Sequence, residues 1–206
     1  MTSPKPATPQ ALVSRYLGAY PATLQAQALA LLNNNALRPW LRQRHPQAHT
    51  LRTDHALYTH VMALKAEHLR SSGPLSKAVY DPQLKVLQHA LGTHTTVSRV
   101  QGGRLKAKQE IRVAALFKHT PLGFLNMICA HELAHMRERE HNKAFYQLCE
   151  HIEPDYHRLE LELRLYLCHL DWDGRPVWTA ESATPDQGGA AAGSRPGMPQ
   201  GTSDRA

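Results

Sequence analysis

Apolar side chains recur at helical spacing in the first third and the last third of the chain, and at alternating spacing between them. Within residues 22–43, Leu24, Ala28, Leu31 and Leu32 share one face of a 3.6-residue period, which predicts a helix stopped by Pro46. A second helix is expected from Thr53 or Asp54 as cap, with Leu57, Val61 and Leu64 as its stripe and Ser71-Ser72-Gly73-Pro74 as its breaker. Residues 77–80 and 84–87 read as strands on either side of an Asp81-Pro82 turn. Residues 95–100 and 104–117 read as the arms of a hairpin around Gln101-Gly102-Gly103, with Ile111, Val113 and Ala115 on its buried face. Thr120 as cap and Pro121 at the first helical position open another helix, which runs through Leu125, Ile128 and Cys129. Asn142 is placed to cap a further helix carrying Phe145, Leu148, Cys149 and Ile152. Pro154 starts the last one, with Leu159, Leu163, Tyr166, Leu167 and Leu170 inside. Helices, then a small mixed or antiparallel sheet, then helices make an α+β domain over residues 1–172, with its core at residues 15–170.

Composition changes the picture at the C-terminal end. Residues 173–206 are rich in Gly, Ala, Pro, Ser and Thr and nearly devoid of large apolar side chains. Such a segment buries too little to offset its chain entropy, so a disordered tail is expected there. The whole chain is 42% hydrophobic, enough for a core, yet no apolar run approaches the roughly 20 residues of a membrane-spanning helix. Residues 1–10 are polar and proline-rich and lack the apolar segment of a secretory signal. The three cysteines, Cys129, Cys149 and Cys168, are odd in number, widely spaced and without a CxxC pair. That excludes a disulfide framework and a thiolate metal site, and points to the reducing cytoplasm. The net charge of +7 favours anionic partners.

The candidate chemistry lies in His131-Glu132-Leu133-Ala134-His135. An HExxH segment sets two imidazoles one helical turn apart on one face, where both reach a single ion. The glutamate points about 100° round the helix, beside the ion rather than on it, where it can take a proton from water. In a chain with 14 histidines the motif needs context, and the apolar helix before it supplies a rigid base. Catalytic zinc takes three protein ligands, so Zn²⁺ requires one more. His141 is the first candidate, with Glu150, Glu153 and Asp155 as rivals. On an unbroken helix His141 would stand about 9 Å along the axis from His135 and about 120° round it, out of reach. A third ligand at 141 therefore demands that the helix end between residues 136 and 140 and the chain turn back. The spacing from His135 to His141 equals that of HExxHxxGxxH, but Glu138 occupies the glycine position and no methionine follows until Met198.

His131-Glu132-Leu133-Ala134-His135, His141-Asn142-Lys143-Ala144-Phe145-Tyr146 and Glu153-Pro154-Asp155-Tyr156 together resemble the YgjP-like family of bacterial metal-dependent hydrolases. The stretch from Ala90-Leu91-Gly92 through residues 98–108 is similar to the YgjP branch itself, and the resemblance spans residues 15–170. More distantly the chain is similar to the WLM and SprT-like metalloproteases. The resemblance implies a small zincin-like fold with His131, His135 and His141 as zinc ligands and Glu132 as base. It also implies a peptidase-like label, with UTP pyrophosphatase activity attributed to the YgjP branch. Those distant relatives carry a tryptophan and a cysteine on the hairpin before the metal helix, and residues 98–103 here have neither.

Three readings of the substrate follow. A peptide could add as a strand to the hairpin edge and present a carbonyl to the metal. A nucleoside triphosphate could be held by Arg99, Arg104 and Lys106, which crowd the hairpin with Lys108 and Arg112 just before the metal helix. A third class, a nucleic-acid-binding module with a structural zinc, is permitted by a pI near 9.5. It leaves Glu132 without a role, and structural zinc sites are usually closed and cysteine-rich.

Overall fold

A computed structural model describes the backbone of residues 8–84, 92–101 and 104–179, and the side chains of these residues outside 92–108. The N-terminal part is helical from the start. Thr8 accepts from Ala11 N–H and Pro9 occupies the first turn of α1 (Pro9–Leu17), whose Leu12, Val13, Tyr16 and Leu17 are buried. No helix was expected here, because the proline-rich lead-in masks a short apolar stripe. The helix expected across residues 22–43 is two helices, α2 (Ala22–Asn33) and α3 (Leu37–Arg44). The break falls at Asn34-Asn35, where Asn35 takes φ 52°, a left-handed conformation that asparagine tolerates and that no helix continues through. α4 (Asp54–His68) begins as expected, with Thr53 accepting from Ala56 N–H.

The sheet has three strands, β1 (Leu75–Asp81), β2 (Gly92–Gln101) and β3 (Arg104–Ala114), in the order β1-β3-β2. β2 and β3 form the hairpin expected around residues 101–103, and β1 joins the far side of β3 in parallel. The expected strand at 84–87 lies mostly outside the described residues. β3 ends three residues short of the expected 117, because residues 115–119 coil into a 3₁₀ turn that buries Phe117. β1 is pinned to α4: Tyr80 N–H donates to Asp54 Oδ1, and Tyr80 Oη donates to Leu51 O.

Behind the sheet lies α5 (Leu122–Ala134), in which every residue from Phe124 onward but Asn126 is buried, most of them apolar, as suits a central helix. Its start differs from the expected capping: Thr120 Oγ1 donates back to Phe117 O, and Pro121 leads into the helix without a side-chain cap. α6 (Lys143–Ile152) and α7 (Tyr156–Asp173) flank it. α7 begins two residues after the expected Pro154. Buried Glu162 on α7 accepts from Arg44 (2.6 Å) and Arg158 (3.0 Å) and meets His45 Nε2 (2.6 Å), joining α7 to the end of α3. Burial pushes the Glu162 carboxyl up, but hydrogen bonds from His45 and Arg44 and their charges outweigh it and bring it below the usual glutamate value. Glu162→Gln is expected to cost about 2–3 kcal/mol at neutral pH. This is less than for a fully buried pair, because Arg44 and Arg158 are each about 40% exposed and can turn to water. The sign follows from the lowered folded pKa: the contribution is present above the unfolded pKa of about 4.5 and lost as pH falls through the folded value. Urea unfolding of the two proteins at pH 7 and pH 3 should show the gap closing in acid.

Past the expected boundary at 172 the chain still packs on the body. Gly174 takes φ 71° and turns the chain off α7, and Val177 and Trp178 then return to the core with no exposed surface. Trp178 Nε1 donates to His45 O (2.7 Å), Arg42 holds Val177 O, and the indole packs against Phe124 and Tyr166. Two large side chains escaped a composition argument that averaged them with the residues beyond. Trp178→Ala is expected to cost about 3–5 kcal/mol, read as a lowered urea midpoint with unchanged slope. Among the described residues no helix is long and apolar enough to cross a membrane.

Candidate metal centre

Three imidazoles meet where α5 ends and α6 begins. α5 stops at Ala134, two residues before the window that a third ligand at 141 requires, with His135 as its C-terminal cap. Backbone hydrogen bonds from Met136, Arg137 and Glu138 to Leu133 O and Ala134 O close the turn. Asn142 then opens α6 by accepting from Phe145 N–H at 2.9 Å. The chain so reversed brings His141 back over the last turn of α5. His141 Nε2 lies 3.3 Å from His131 Nε2 and 3.1 Å from His135 Nε2, and the three donor atoms all fall within 4.8 Å of one another. Phe145 packs against all three rings at centroid distances of 4.6–5.0 Å.

The rival carboxylates are engaged elsewhere. Glu150 pairs with His157, Glu153 accepts from Asp155 N–H, and Asp155 pairs with Arg158. Among the described residues no other cluster of histidine, cysteine or carboxylate side chains could hold an ion.

The protonation pattern suits a cation. His131 is held down to about 3 by burial, reinforced by repulsion from His135 and His141, so it is neutral and ligand-competent at physiological pH. Burial likewise lowers His135, and a hydrogen bond to Glu138 O only partly offsets it. A carbonyl can only accept, so His135 carries its proton on Nδ1 and directs the Nε2 lone pair at its neighbours. Three lone pairs aimed at one point repel unless a cation lies between them. Two nitrogens bound at ~2.0–2.1 Å to a tetrahedral ion stand about 3.3 Å apart, close to the separations found here.

Glu132 is fully buried, and neither carboxylate oxygen has a hydrogen-bond partner among the described residues. A buried polar group left unpaired is costly, and such orphans mark functional sites. Burial alone raises its carboxyl to about 8.

Of the hairpin cations, Arg99 pairs in register with Lys106, and Arg104 with Gln101, across β2 and β3. Their side chains, with that of Lys108, lie outside the described residues. Arg112 is not free for an anion: it pairs with Asp81 and Glu110. Sequence reasoning missed two groups behind the histidines, Tyr156 Oη at 2.7 Å from His131 Nδ1 and the Glu138 carbonyl behind His135. Neither carries a local signal. Tyr156 is 25 residues away, and any residue at 138 would offer the same carbonyl.

The family model described as YgjP-like, metallopeptidase domain, matches residues 77–166, from β1 through most of α7. A curated relative from Escherichia coli (strain K12), named UTP pyrophosphatase, is 52% identical over 155 residues, which cover 75% of this chain and 93% of the relative. No solved structure shows a significant match.

Proposed function

This chain belongs to the YgjP-like family of metal-dependent hydrolases, and from that premise we propose that it is a zinc-dependent nucleoside triphosphate pyrophosphatase acting on UTP. The observation that carries the substrate is the likeness to a relative named for UTP over nearly that relative's whole length. His131, His135 and His141 hold Zn²⁺ through Nε2, and Glu132 is the general base. When bound, the ion supplies Lewis-acid activation of water and offsets charge on the phosphoryl oxygens. Glu132 takes a proton from the attacking water. The water oxygen bonds to the α-phosphorus as the bond from that phosphorus to the bridging oxygen breaks, giving nucleoside monophosphate and pyrophosphate. Arg99, Arg104 and Lys106 bind the triphosphate from the hairpin. We assign catalysis to the packed body that Val177 and Trp178 close, and place the protein in the cytoplasm, where its three buried, unpaired cysteines stay reduced.

A second reading is favoured by one feature. Within the described sheet β2 pairs only with β3, so it offers a free edge, and it packs beside α5. An extended peptide added to that edge would lie on the same sheet that packs against α5. The test runs zinc-loaded protein, chelated protein and buffer against a panel of nucleoside triphosphates with ³¹P detection, and against a mixed peptide library. The proposal expects monophosphate and pyrophosphate from UTP with zinc-loaded protein alone. Zinc-loaded protein that leaves every triphosphate intact sinks it, and cleaved peptides would then establish the second reading.

A further inference from the structure

We infer that Tyr156 is a positioning residue for the metal centre: its phenol oxygen accepts a hydrogen bond from His131 Nδ1–H and so fixes the tautomer that presents Nε2 to the ion. This rests on the ligand assignment proposed above. A neutral imidazole carries one N–H, and the nitrogen without it keeps the lone pair. His131 Nε2 faces His141 Nε2 at 3.3 Å, so a ligand role there puts the proton on Nδ1 and calls for an acceptor. The residue is only 5% exposed, which leaves little room for water to serve. Tyr156 Oη, 2.7 Å away on a side chain 1% exposed, is the one partner given to that nitrogen among the described residues.

A phenol oxygen can donate or accept. With the His131 proton on Nδ1, the phenol oxygen accepts from it, and the 2.7 Å separation is that of a good hydrogen bond.

The two ligands of α5 thus obtain the same tautomer by different routes. His135 uses the Glu138 carbonyl in its own turn. His131, deeper in the helix, needs a group from α6 or α7. Tyr156 is the first residue of α7, and α7 lies close on α5 because Gly123 leaves room for Leu159: a Cβ at 123 would fall 2.9 Å from a Leu159 methyl. Partners of this kind behind a metal ligand typically change affinity 10–100-fold when removed.

The experiment is a zinc titration by chelator competition on wild type, Tyr156→Phe and His135→Ala, alongside thermal unfolding of the metal-free proteins. Tyr156→Phe keeps the ring and the packing. It is expected to bind zinc roughly 10–100-fold more weakly while its metal-free form melts within a few degrees of wild type. A merely structural phenol would shift the melting temperature and leave zinc affinity alone. Wild-type affinity in folded Tyr156→Phe overturns the inference, provided His135→Ala has lost zinc. Zinc retained by His135→Ala overturns the ligand assignment itself. Should Tyr156→Phe fail to fold, ¹⁵N histidine spectra of zinc-loaded wild type decide the point: a slowly exchanging proton on His131 Nδ1 is expected, and its absence from that nitrogen refutes the inference.

Discussion

Glu132→Gln is expected to lower the rate of pyrophosphate release from UTP by about 10²–10⁴-fold, the range that a positioned general base contributes, while zinc stays bound. Gln is isosteric and leaves the helix unchanged, so the loss isolates proton transfer. Neither carboxylate oxygen has a hydrogen-bond partner among the described residues, and removing its charge breaks no ion pair there. Metal content equal to wild type with turnover down at least a hundredfold supports the assignment. Turnover within a few-fold of wild type would remove Glu132 from the chemistry. The same substitution carries a stability signature in metal-free protein. Glu132 holds its proton to about pH 8 in the fold, against 4.5 when free. Its contribution is therefore full below the unfolded pKa and is lost as pH rises through the folded one. The glutamine variant escapes that loss. At ~1.4 kcal/mol per pKa unit, metal-free Glu132→Gln should gain up to about 4–5 kcal/mol on wild type by pH 8, and nothing at pH 4. Urea unfolding in the presence of chelator at the two pH values measures this.

The meeting of the three histidines was legible because it rests on short-range rules: one helical turn between His131 and His135, an apolar stretch to anchor them, an asparagine to restart the chain. The condition set by His141, a helix broken before it, follows from helix geometry alone, and α5 ends two residues ahead of the expected window. What lay hidden was non-local. The parallel pairing of β1 with β3 joins residues more than thirty apart and leaves no periodic trace. The break at Asn34-Asn35 depends on a left-handed residue that propensity only weakly marks. Trp178 and Val177 stand alone in a polar, small-residue stretch, and only the position of α3 and α7 gives them a surface to cover. Tyr156 reads as one more apolar residue at the start of a helix until the fold sets its hydroxyl behind His131.

His141→Ala is expected to weaken zinc binding by on the order of 10³-fold or more and to abolish hydrolysis. Its effect on the metal-free fold should be small. The three proposed ligands differ in how deeply they are built in: His131 is buried, His135 half-buried and His141 exposed on the loop before α6. Truncating His131 would confound metal loss with a cavity beside Tyr156 and Phe145. Truncating His141 removes a donor with little packing attached, so it separates the metal from the fold. Two histidines at helical spacing still offer a weak site, but the chelate loses a third of its nitrogens and the tetrahedral arrangement with one open position is gone. Zinc binding to the folded form raises stability by RT ln(1 + [Zn]/Kd), so the thermal shift on adding zinc reads the affinity directly. At zinc a hundred times the wild-type Kd the shift corresponds to about 2.7 kcal/mol for wild type and about 0.1 kcal/mol for a 10³-fold weaker variant. Equal shifts in the two proteins would return the third place to a carboxylate. Glu150, Glu153 and Asp155 would each have to leave a present partner to take it.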